Sequence, residues 1–447
     1  MSAVHPPPAP LRVVQLVTTL ARGGAQATVL ASSVDVPAGP GGSPPIDVRV
    51  LAGGEATGEG SFWGDPVTAG IRIDVVPTLR RSIRPLADVR ALRWLVAHLR
   101  AERPDVVHTH SSKAGVLGRL AAAAAGVPCV HTVHGWGPLD AGGPVARRAV
   151  VAIERILARR TAALVVVGAD DLDRGLRLGI GRAEQYHLIR SGIEPPDARQ
   201  RAAVRRELDL DGRWVVGMVG RLAAQKDQVA LIEAFATVAG TVGADATLVL
   251  VGDGPRRAAV EAVTAANPGL DVRLLGARPD GPRLVTGFDV AVNAAHWEGL
   301  PRAVVEAASA GVPVVATDVG STRELIRPGR SGRLVPPGDV GALAEAIADA
   351  RSHPDRTAAM AAEAVRLAAD YGADRMRDDL HRLWRLVGHG GLAGVAGTAG
   401  TAGTAGPGVD DAGTKPTPAT GPAVRPSAAR RSSRRAGLTR RRRPVAR

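Results

Sequence analysis

The sequence predicts an α/β protein with two parallel-sheet domains. In both halves of the chain, short β-branched runs alternate with longer segments of helical periodicity, and repeated strand–helix units of this kind form parallel sheets. The pattern pauses at Pro195 and Pro196 and then starts again, so these prolines mark a linker between two domains. A length of 447 residues allows two hydrophobic cores and additional segments.

The first domain is expected over residues 1–192, and its first unit is a strand, a glycine turn and a helix. The strand LRVVQLVTTL leads to Gly23 and Gly24, and the helical AQATVLASSV follows. Glycines let a backbone approach a ligand phosphate closely, although a glycine pair after a strand is more often only a tight turn. Further helices are predicted at residues 85–103 and 145–160.

Four histidines lie at the C-terminal ends of two successive predicted strands, in DVVHTH and VPCVHTVHG. Open α/β sheets bind ligands at this edge. A metal site is one interpretation, but zinc sites of this kind usually add Cys or Asp at supporting spacings, which are not evident here. Structural roles are therefore favoured for His108 and His131, and ligand contacts for His110 and His134 at the strand tips.

The second domain is expected over residues 193–371, and its most informative stretch is HWEGLPRAVVEAASAGVPVVATDVGS. A helix is predicted to begin near Gly299, with Pro301 in the first helical position, where a missing N–H costs nothing. Glu298 stands just before this helix and Glu306 lies within it, at a position expected to be partly exposed. The predicted inward face consists of Leu300, Val304, Ala307 and Ala308.

The spacing of the two glutamates suits an extended ligand. Eight residues of helix rise roughly 12 Å, so Glu298 and Glu306 would contact opposite ends of a nucleotide diphosphate-sugar. The free N–H groups at the start of the helix also favour a diphosphate. For an isolated pair, a solvated surface position is the commoner outcome. The following strand VPVVAT places this pair at a sheet edge, which favours the ligand interpretation.

Arg221 and Lys226 follow the first predicted strand of the second domain. Two cations at the end of a strand suit a diphosphate, and Arg provides planar, bidentate contacts that Lys does not. As isolated residues they would more often be solvated surface charges. Their occurrence in the same domain as the two glutamates favours the ligand interpretation.

The composition indicates a chain without internal disulfides or membrane spans. Cys129 is the single cysteine, which fits a reducing compartment and a small buried apolar position. The first residues lack the features of a signal peptide, and no apolar run reaches the length of a spanning helix. We expect a cytoplasmic protein, with a peripheral position at the inner face of the plasma membrane as an option.

The end of the chain changes character after a last amphipathic helix, which is expected at residues 372–387 and to return toward the first domain. Residues 388–447 combine an Ala/Gly/Thr repeat with a polybasic end and are predicted to be disordered. This tail carries a charge of +9 out of the formal +14. The tail could contact an anionic membrane surface or have only an incidental solubilising role. Nucleic acid is the less favoured partner.

The ordered set of motifs over residues 11–387 resembles the family 4 retaining glycosyltransferases, whose GT-B fold consists of two facing Rossmann-like domains. The resemblance is carried by RGGAQ, HTHSSKAGVLGR, HTVHGW, LIRSGIE, VGRLAAQKD, LVGDGP, LLG, EGLPRAVVEA and GVPVVATDVGSTRELI. It implies a hexosyl- or N-acetylhexosaminyltransferase that moves a sugar from a nucleotide diphosphate-sugar, with UDP-sugars favoured, to a glycan or lipid-linked saccharide. HTHSSKAG, HTVHGW and EGLPR together are similar to the branch that builds bacterial surface polysaccharides.

The resemblance also implies roles for individual residues. The paired glutamates match Glu298 and Glu306, of which the second holds the ribose hydroxyls, while the diphosphate-binding cations match Arg221 and Lys226. A departure is Ser191, where the family usually has Asn. The implied catalytic residues are Glu298, His134, Arg221 and Lys226. The implied donor-binding residues are Gly24, Gly220, Arg221, Lys226, Leu275, Glu298, Gly299, Leu300 and Glu306.

The resemblance further implies that the reaction needs no metal ion. It also implies no cofactor, because the nucleotide-sugar is a substrate. It implies retention of anomeric configuration by front-face attack, and no residue stands out as a covalent nucleophile. Two alternatives remain at this point. One is a nucleotide-sugar epimerase of the same fold, and the other is a non-catalytic nucleotide-sugar-binding protein.

Overall fold

A computed structural model describes residues 9–37, 44–55, 60–140, 143–243 and 245–390. These residues form two β-sheets in which every pair of neighbouring strands is parallel. The predicted fold class of two Rossmann-like parallel-sheet domains is confirmed. The tail predicted to be disordered, residues 388–447, lies outside the described residues except for its first three positions.

The first sheet has seven strands in the order β3-β2-β1-β4-β5-β6-β7. Strand β4 is buried at every residue, as expected where helices cover both faces of a parallel sheet. The strands are β1 (Leu11–Thr19), β2 (Ile46–Gly53), β3 (Arg72–Val76), β4 (Val106–His110), β5 (Cys129–Val133), β6 (Ala163–Val166) and β7 (Tyr186–Leu188). The helices of this domain are α1 (Gly24–Ser32), α2 (Pro85–Glu102), α3 (Ser112–Ala125), α4 (Gly137–Asp140), α5 (Pro144–Ala158) and α6 (Ala169–Arg177).

The second sheet has six strands in the order β10-β9-β8-β11-β12-β13. Its strand β9, ATLVLV, is likewise buried along its whole length. The strands are β8 (Trp214–Val219), β9 (Ala246–Val251), β10 (Val272–Leu274), β11 (Val290–Asn293), β12 (Val314–Thr317) and β13 (Arg333–Val335). The helices are α7 (Arg201–Glu207), α8 (Gln228–Val242), α9 (Arg257–Ala265), α10 (Gly281–Leu284), α11 (Arg302–Ser309), α12 (Thr322–Leu325), α13 (Val340–Ser352), α14 (Pro354–Ala368) and α15 (Ala373–Gly388).

The last helix, α15, packs against the first sheet rather than the second. Its apolar face, with Met376, Leu380 and Trp384, joins a buried cluster formed by β1, β2 and β4 to β6. The Trp384 side chain is fully buried, and its Nε1 donates a hydrogen bond to His108 Nδ1 at 3.1 Å. The chain therefore crosses to the second domain and comes back to cover one face of the first.

The two domains are joined by a contact built around Glu324. This carboxylate in α12 accepts hydrogen bonds from the Ala169 backbone N–H at 2.6 Å and from the Arg190 guanidinium at 2.8 Å. Ala169 is the first residue of α6, so the carboxylate also faces the positive end of a helix dipole. A Cβ at Gly168 would lie 1.8 Å from Ser321 Oγ, so only glycine allows the domains to approach this closely.

Candidate active site

A cavity of about 730 Å³ lies between the two domains. Binding sites for small ligands usually measure roughly 300–1,000 Å³, so the cavity has room for a nucleotide-sugar. Its walls come from segments that directly follow strands of both sheets, the edge at which α/β sheets bind ligands. The site residues predicted from the sequence that line it are Gly24, His134, Gly220, Arg221, Lys226, Glu298, Leu300 and Glu306.

The other two predicted donor residues do not line this cavity. Leu275 follows β10 and packs partly against the hydrophobic core of the second domain. Gly299 lies at the contact between the domains, where a Cβ would come within 2.6 Å of the His134 carbonyl oxygen. Gly135, with φ of 118°, faces it from the first domain and would also be crowded by a side chain. These glycines let two backbones meet beside the cavity.

Lys226 and Glu298 form an ion pair on the second-domain wall. Gln225 supports this pair, because its Nε2 donates to the Trp297 carbonyl at 2.7 Å and lies 3.4 Å from the second oxygen of Glu298. The loop after β8 thereby positions the glutamate that follows β11. Gln225 was missed in the sequence, where only its place in the AAQKD motif pointed to it.

Glu306 corrects a sequence expectation, because it is buried rather than partly exposed. Its exposed fraction is 7%, and burial raises the pKa of its carboxyl, while Arg302 and Lys226 oppose the shift. The helix also begins later than predicted: α11 starts at Arg302, with Pro301 as its N-cap residue. The start moves because the backbone of Pro301 is still extended, with ψ of 98°. The predicted inward residues of the stretch, Leu300, Val304, Ala307 and Ala308, are buried, as expected.

Arg302 is the most important site residue that the sequence reasoning missed. Its guanidinium lies 3.7 Å from the Glu306 carboxylate, and its Nη1 donates to the Gly192 carbonyl at 2.6 Å. Burial lowers the pKa of Arg302, and the carboxylate of Glu306 opposes this effect. A Cβ at Gly24 would lie 3.0 Å from the Arg302 side chain, so the glycine turn of the first domain borders this arginine. The sequence signal for Arg302 was its position four residues before Glu306, because side chains at this spacing meet on one face of a helix.

The histidines are connected by hydrogen bonds behind the cavity wall. His134 lines the cavity, and its Nε2 lies 3.1 Å from His110 Nδ1. The other nitrogen of His110 lies 2.9 Å from Gln15 Oε1. The expectation that His110 contacts a ligand is wrong, because the strand tip is covered by His134 and His110 is buried. In the described part of the chain, no group of His, Cys, Asp and Glu is arranged to hold a metal ion.

The hydrogen-bond directions between Gln15, His110 and His134 follow from the serines that contact Gln15. Ser32 and Ser33 donate their hydroxyl protons to carbonyls of α1, so both accept from the Gln15 amide nitrogen. Gln15 Oε1 therefore faces His110, which must carry its proton on Nε2. His110 Nδ1 is then an acceptor, so His134 donates from Nε2 and keeps a lone pair on Nδ1.

Burial keeps these histidines neutral. It lowers the pKa of His108 to about 3, and it lowers those of His110 and His131 well below the usual value. The pKa of His134 falls to about 4 through burial and the nearby positive charge of Arg302. His134 therefore presents an uncharged ring to the cavity at neutral pH.

The first-domain wall of the cavity is basic. Arg22, Arg81 and Lys113 line it, together with the hydroxyls of Ser111 and Ser112. The Arg22 and Lys113 side chains form ion pairs with Asp65 and Asp88, which fix their positions. The two walls differ in what they present to the cavity. The second domain contributes both members of its ion pairs to the lining, whereas the first contributes the cations and small hydroxyls, and Asp65 and Asp88 lie outside the lining. Such an arrangement suits a phosphorylated ligand in the second domain and a second substrate against the first.

Two Rossmann-like domains that enclose one charged cleft define the GT-B class of folds. Residues 10–192 match the family model described as "Glycosyl transferase 4-like domain", and residues 213–353 match "Glycosyl transferases group 1". The chain belongs to the family 4 glycosyltransferases. No helix among the described residues is long and apolar enough to cross a membrane.

Similar proteins agree with this assignment. The chain is 31% identical over 295 residues to the Escherichia coli UDP-Gal:alpha-D-GlcNAc-diphosphoundecaprenol alpha-1,3-galactosyltransferase, covering 63% of this chain and 76% of the relative. It is 31% identical over 361 residues to the GDP-mannose-dependent alpha-mannosyltransferase of Mycolicibacterium smegmatis, covering 76% and 88%. The fold is similar to Anabaena Alr3699/HepE in complex with UDP-glucose, with a TM-score of 0.70, 22% identity and coverages of 84% and 99%. Because these relatives are transferases, the epimerase and the non-catalytic binder are not favoured.

Proposed function

We propose that this glycosyltransferase moves a hexosyl or N-acetylhexosaminyl group from a UDP-sugar to a lipid-linked saccharide with retention of configuration. The observation that carries the proposal is the pairing of Lys226 with Glu298 and of Arg302 with Glu306 along one wall of the cavity, opposite Gly24 and His134. These groups match the parts of a nucleotide diphosphate-sugar: cations for the central diphosphate, and carboxylates for hydroxyl groups of the ribose and the sugar on either side of it.

The proposed roles are those that the family resemblance implies for these residues. Arg221 and Lys226, after β8, bind the diphosphate, with Gly220 giving its backbone close access. Glu306 accepts hydrogen bonds from the ribose, and Glu298 contacts the transferred sugar. The burial of Glu306 beside Arg302 strengthens its interaction with a ligand hydroxyl, since fewer water molecules compete there.

In the proposed reaction, an acceptor hydroxyl oxygen bonds to the anomeric carbon while the bond from that carbon to the diphosphate oxygen breaks. The electron pair of the broken bond leaves with the diphosphate, which also takes up the proton of the acceptor hydroxyl. Attack from the face of the departing group gives retention. Fixed cations next to the diphosphate stabilise the charge that grows on it.

The acceptor side of the proposal rests on the basic wall of the first domain. Arg22, Arg81 and Lys113 there suit a phosphate-bearing acceptor, and the Escherichia coli relative is named for a diphosphoundecaprenol-linked substrate. We further propose that the enzyme works in the cytoplasm at the inner face of the plasma membrane. The polybasic tail would be attracted electrostatically to the anionic lipids of that surface. Deleting residues 391–447 should then weaken co-sedimentation with anionic vesicles at low salt; unchanged co-sedimentation would refute the tail's role.

A donor panel tests the proposal. The purified chain is incubated with UDP- and GDP-sugars and an undecaprenyl-diphosphate-linked GlcNAc acceptor, and the product is analysed by NMR. We expect transfer from one UDP-sugar, a product with the donor's anomeric configuration, and activity that persists in EDTA, since cations and helix N-termini replace a divalent ion. Preference for GDP-sugars, inversion or a magnesium-reversible loss of activity would each refute the corresponding part.

A further inference from the structure

The start of α2 exposes large apolar side chains to solvent. Ile83, just before this helix, is 85% exposed, and Leu86 in its first turn is 79% exposed. Val89, one turn further on, is also exposed. Single exposed apolar residues are common on proteins, but a cluster within seven residues next to a ligand cleft indicates an interaction surface.

Helix α5 shows the same property along its length. Val145, which is 78% exposed, and the exposed Ile153 and Ile156 lie on its outer side at helical spacing. Its opposite side is also apolar, with Val151 and Leu157 buried against the sheet. Because one apolar face suffices to hold a helix on its sheet, the second apolar stripe is not explained by the fold.

The two helices belong to the same layer. On β5, Cys129 packs with α2 and α3, whereas Val133 packs with α5. Residues four apart in a strand point to the same face, so both helices cover one side of the first sheet. Helix α15 covers the other side. Both exposed apolar regions therefore lie on one outer surface of the first domain, and their helices start at the sheet edge that borders the cavity.

This outer surface is strongly basic. Residues 79–93 and 143–160 contain ten arginines, and their only two acidic residues are Asp88 and Glu154. Asp88 pairs with Lys113, and Glu154 is buried in a bond with Arg119 at 2.8 Å. The exposed arginines are Arg80, Arg81, Arg84, Arg90, Arg93, Arg147, Arg148, Arg155, Arg159 and Arg160.

We propose that this surface, residues 79–93 together with the exposed face of α5, binds an anionic lipid bilayer. Exposed aliphatic side chains flanked by arginines match the boundary between acyl chains and anionic headgroups. A second copy fits less well, since a symmetric dimer through this surface would bring the two sets of arginines together. The surface acts separately from the tail and holds the cavity entrance near the bilayer.

Site-specific labelling tests the proposal on the full-length chain. The single native cysteine, Cys129, is buried, and burial raises the pKa of its thiol to about 12, so it should not react with a label. An environment-sensitive fluorophore is attached to Leu86→Cys and to Ile153→Cys. The matched control is Val365→Cys, at an exposed position of α14 in the second domain. The assay contains no nucleotide-sugar, so its result is independent of the proposed transfer reaction.

The expected result is a blue shift and brightening of both first-domain labels on adding phosphatidylglycerol vesicles, with little change for the control or for phosphatidylcholine vesicles. Replacing Ile83 and Leu86 together by Asn should lower the apparent vesicle affinity about tenfold or more. Labels that stay unchanged while the protein co-sediments would assign binding to the tail and overturn the proposal. A shift that follows protein concentration without vesicles would overturn it in favour of a second copy of the chain.

Discussion

The hydrogen-bond chain from Gln15 through His110 to His134 makes a prediction that can be tested at one atom. In the His110→Phe variant, a ring of similar shape fills the space but neither accepts a proton from His134 nor donates to Gln15. The Gln15 side-chain oxygen is buried and loses its shorter hydrogen bond, keeping only a 3.4 Å contact with Ser32 Oγ, which should cost about 1–3 kcal/mol of unfolding free energy. The tautomer of His134 is then no longer fixed.

The effect on activity should be smaller and separable from the loss of stability. One neutral hydrogen bond contributes about 0.5–1.5 kcal/mol, so kcat/KM should fall by up to about tenfold. Nitrogen NMR of histidine-labelled protein reports the tautomer directly. We expect the His134 proton on Nε2 in the native chain and a mixture of tautomers in the variant.

A matched control separates the two effects. Val48 is buried in β2, and Val48→Ala removes packing without touching the histidines. This variant should lose stability but keep both the His134 tautomer and kcat/KM. A native His134 with its proton on Nδ1, or a spectrum of His134 that does not change in His110→Phe, would refute these hydrogen-bond directions.

Three further predictions concern the ligand, the domain contact and pH. Glu306→Gln should weaken UDP binding by about 10- to 150-fold in calorimetry, since a charged acceptor contributes about 1.5–3 kcal/mol; an unchanged Kd would remove Glu306 from the ribose role. Glu324→Ala should lower the unfolding free energy by about 1.5–3 kcal/mol and reduce kcat/KM, whereas the exposed Glu345→Ala should do neither; equal behaviour of the two would contradict the domain contact. Below about pH 6.5 the unfolded chain takes up protons that the buried His108, His110 and His131 do not, so urea unfolding should show stability falling as pH drops, by about 1.4 kcal/mol per pH unit for each histidine. Asp171, whose pKa burial raises to about 7, offsets part of this fall; equal stability at pH 7.5 and 5.5 would contradict the neutral histidines.

The alternation of β-branched runs with helical periodicity was sufficient to predict both parallel sheets. This information is local, because a strand that is buried on both faces must be apolar along its whole length. The order of the motifs was sufficient to predict the family, and the residues that follow strands were sufficient to name eight of the residues that line the cavity. The roles of Leu275 and Gly299 stay predictions, since both lie outside the lining of the cavity.

Other features depended on contacts between residues far apart in the chain, which no local pattern records. Glu306 looks like a partly exposed helical position in the sequence, but in the structure it is buried beside Arg302. His110 lies at a strand tip as predicted, but His134 from the neighbouring strand covers it.

The sequence by itself determined the two sheets through periodicity along the chain. It also determined the family, and the residue types available for the diphosphate and the sugar, through the ordered set of motifs that resembles this family. Only the tertiary structure decided which charges pair, which histidine reaches the cavity and which helix faces remain exposed. The physical reason is burial: pKa values, hydrogen-bond directions and the environment of Glu306 depend on which atoms exclude water. Those atoms come from segments far apart in the chain, such as Trp384 and His108, which are hydrogen-bonded although 276 residues separate them.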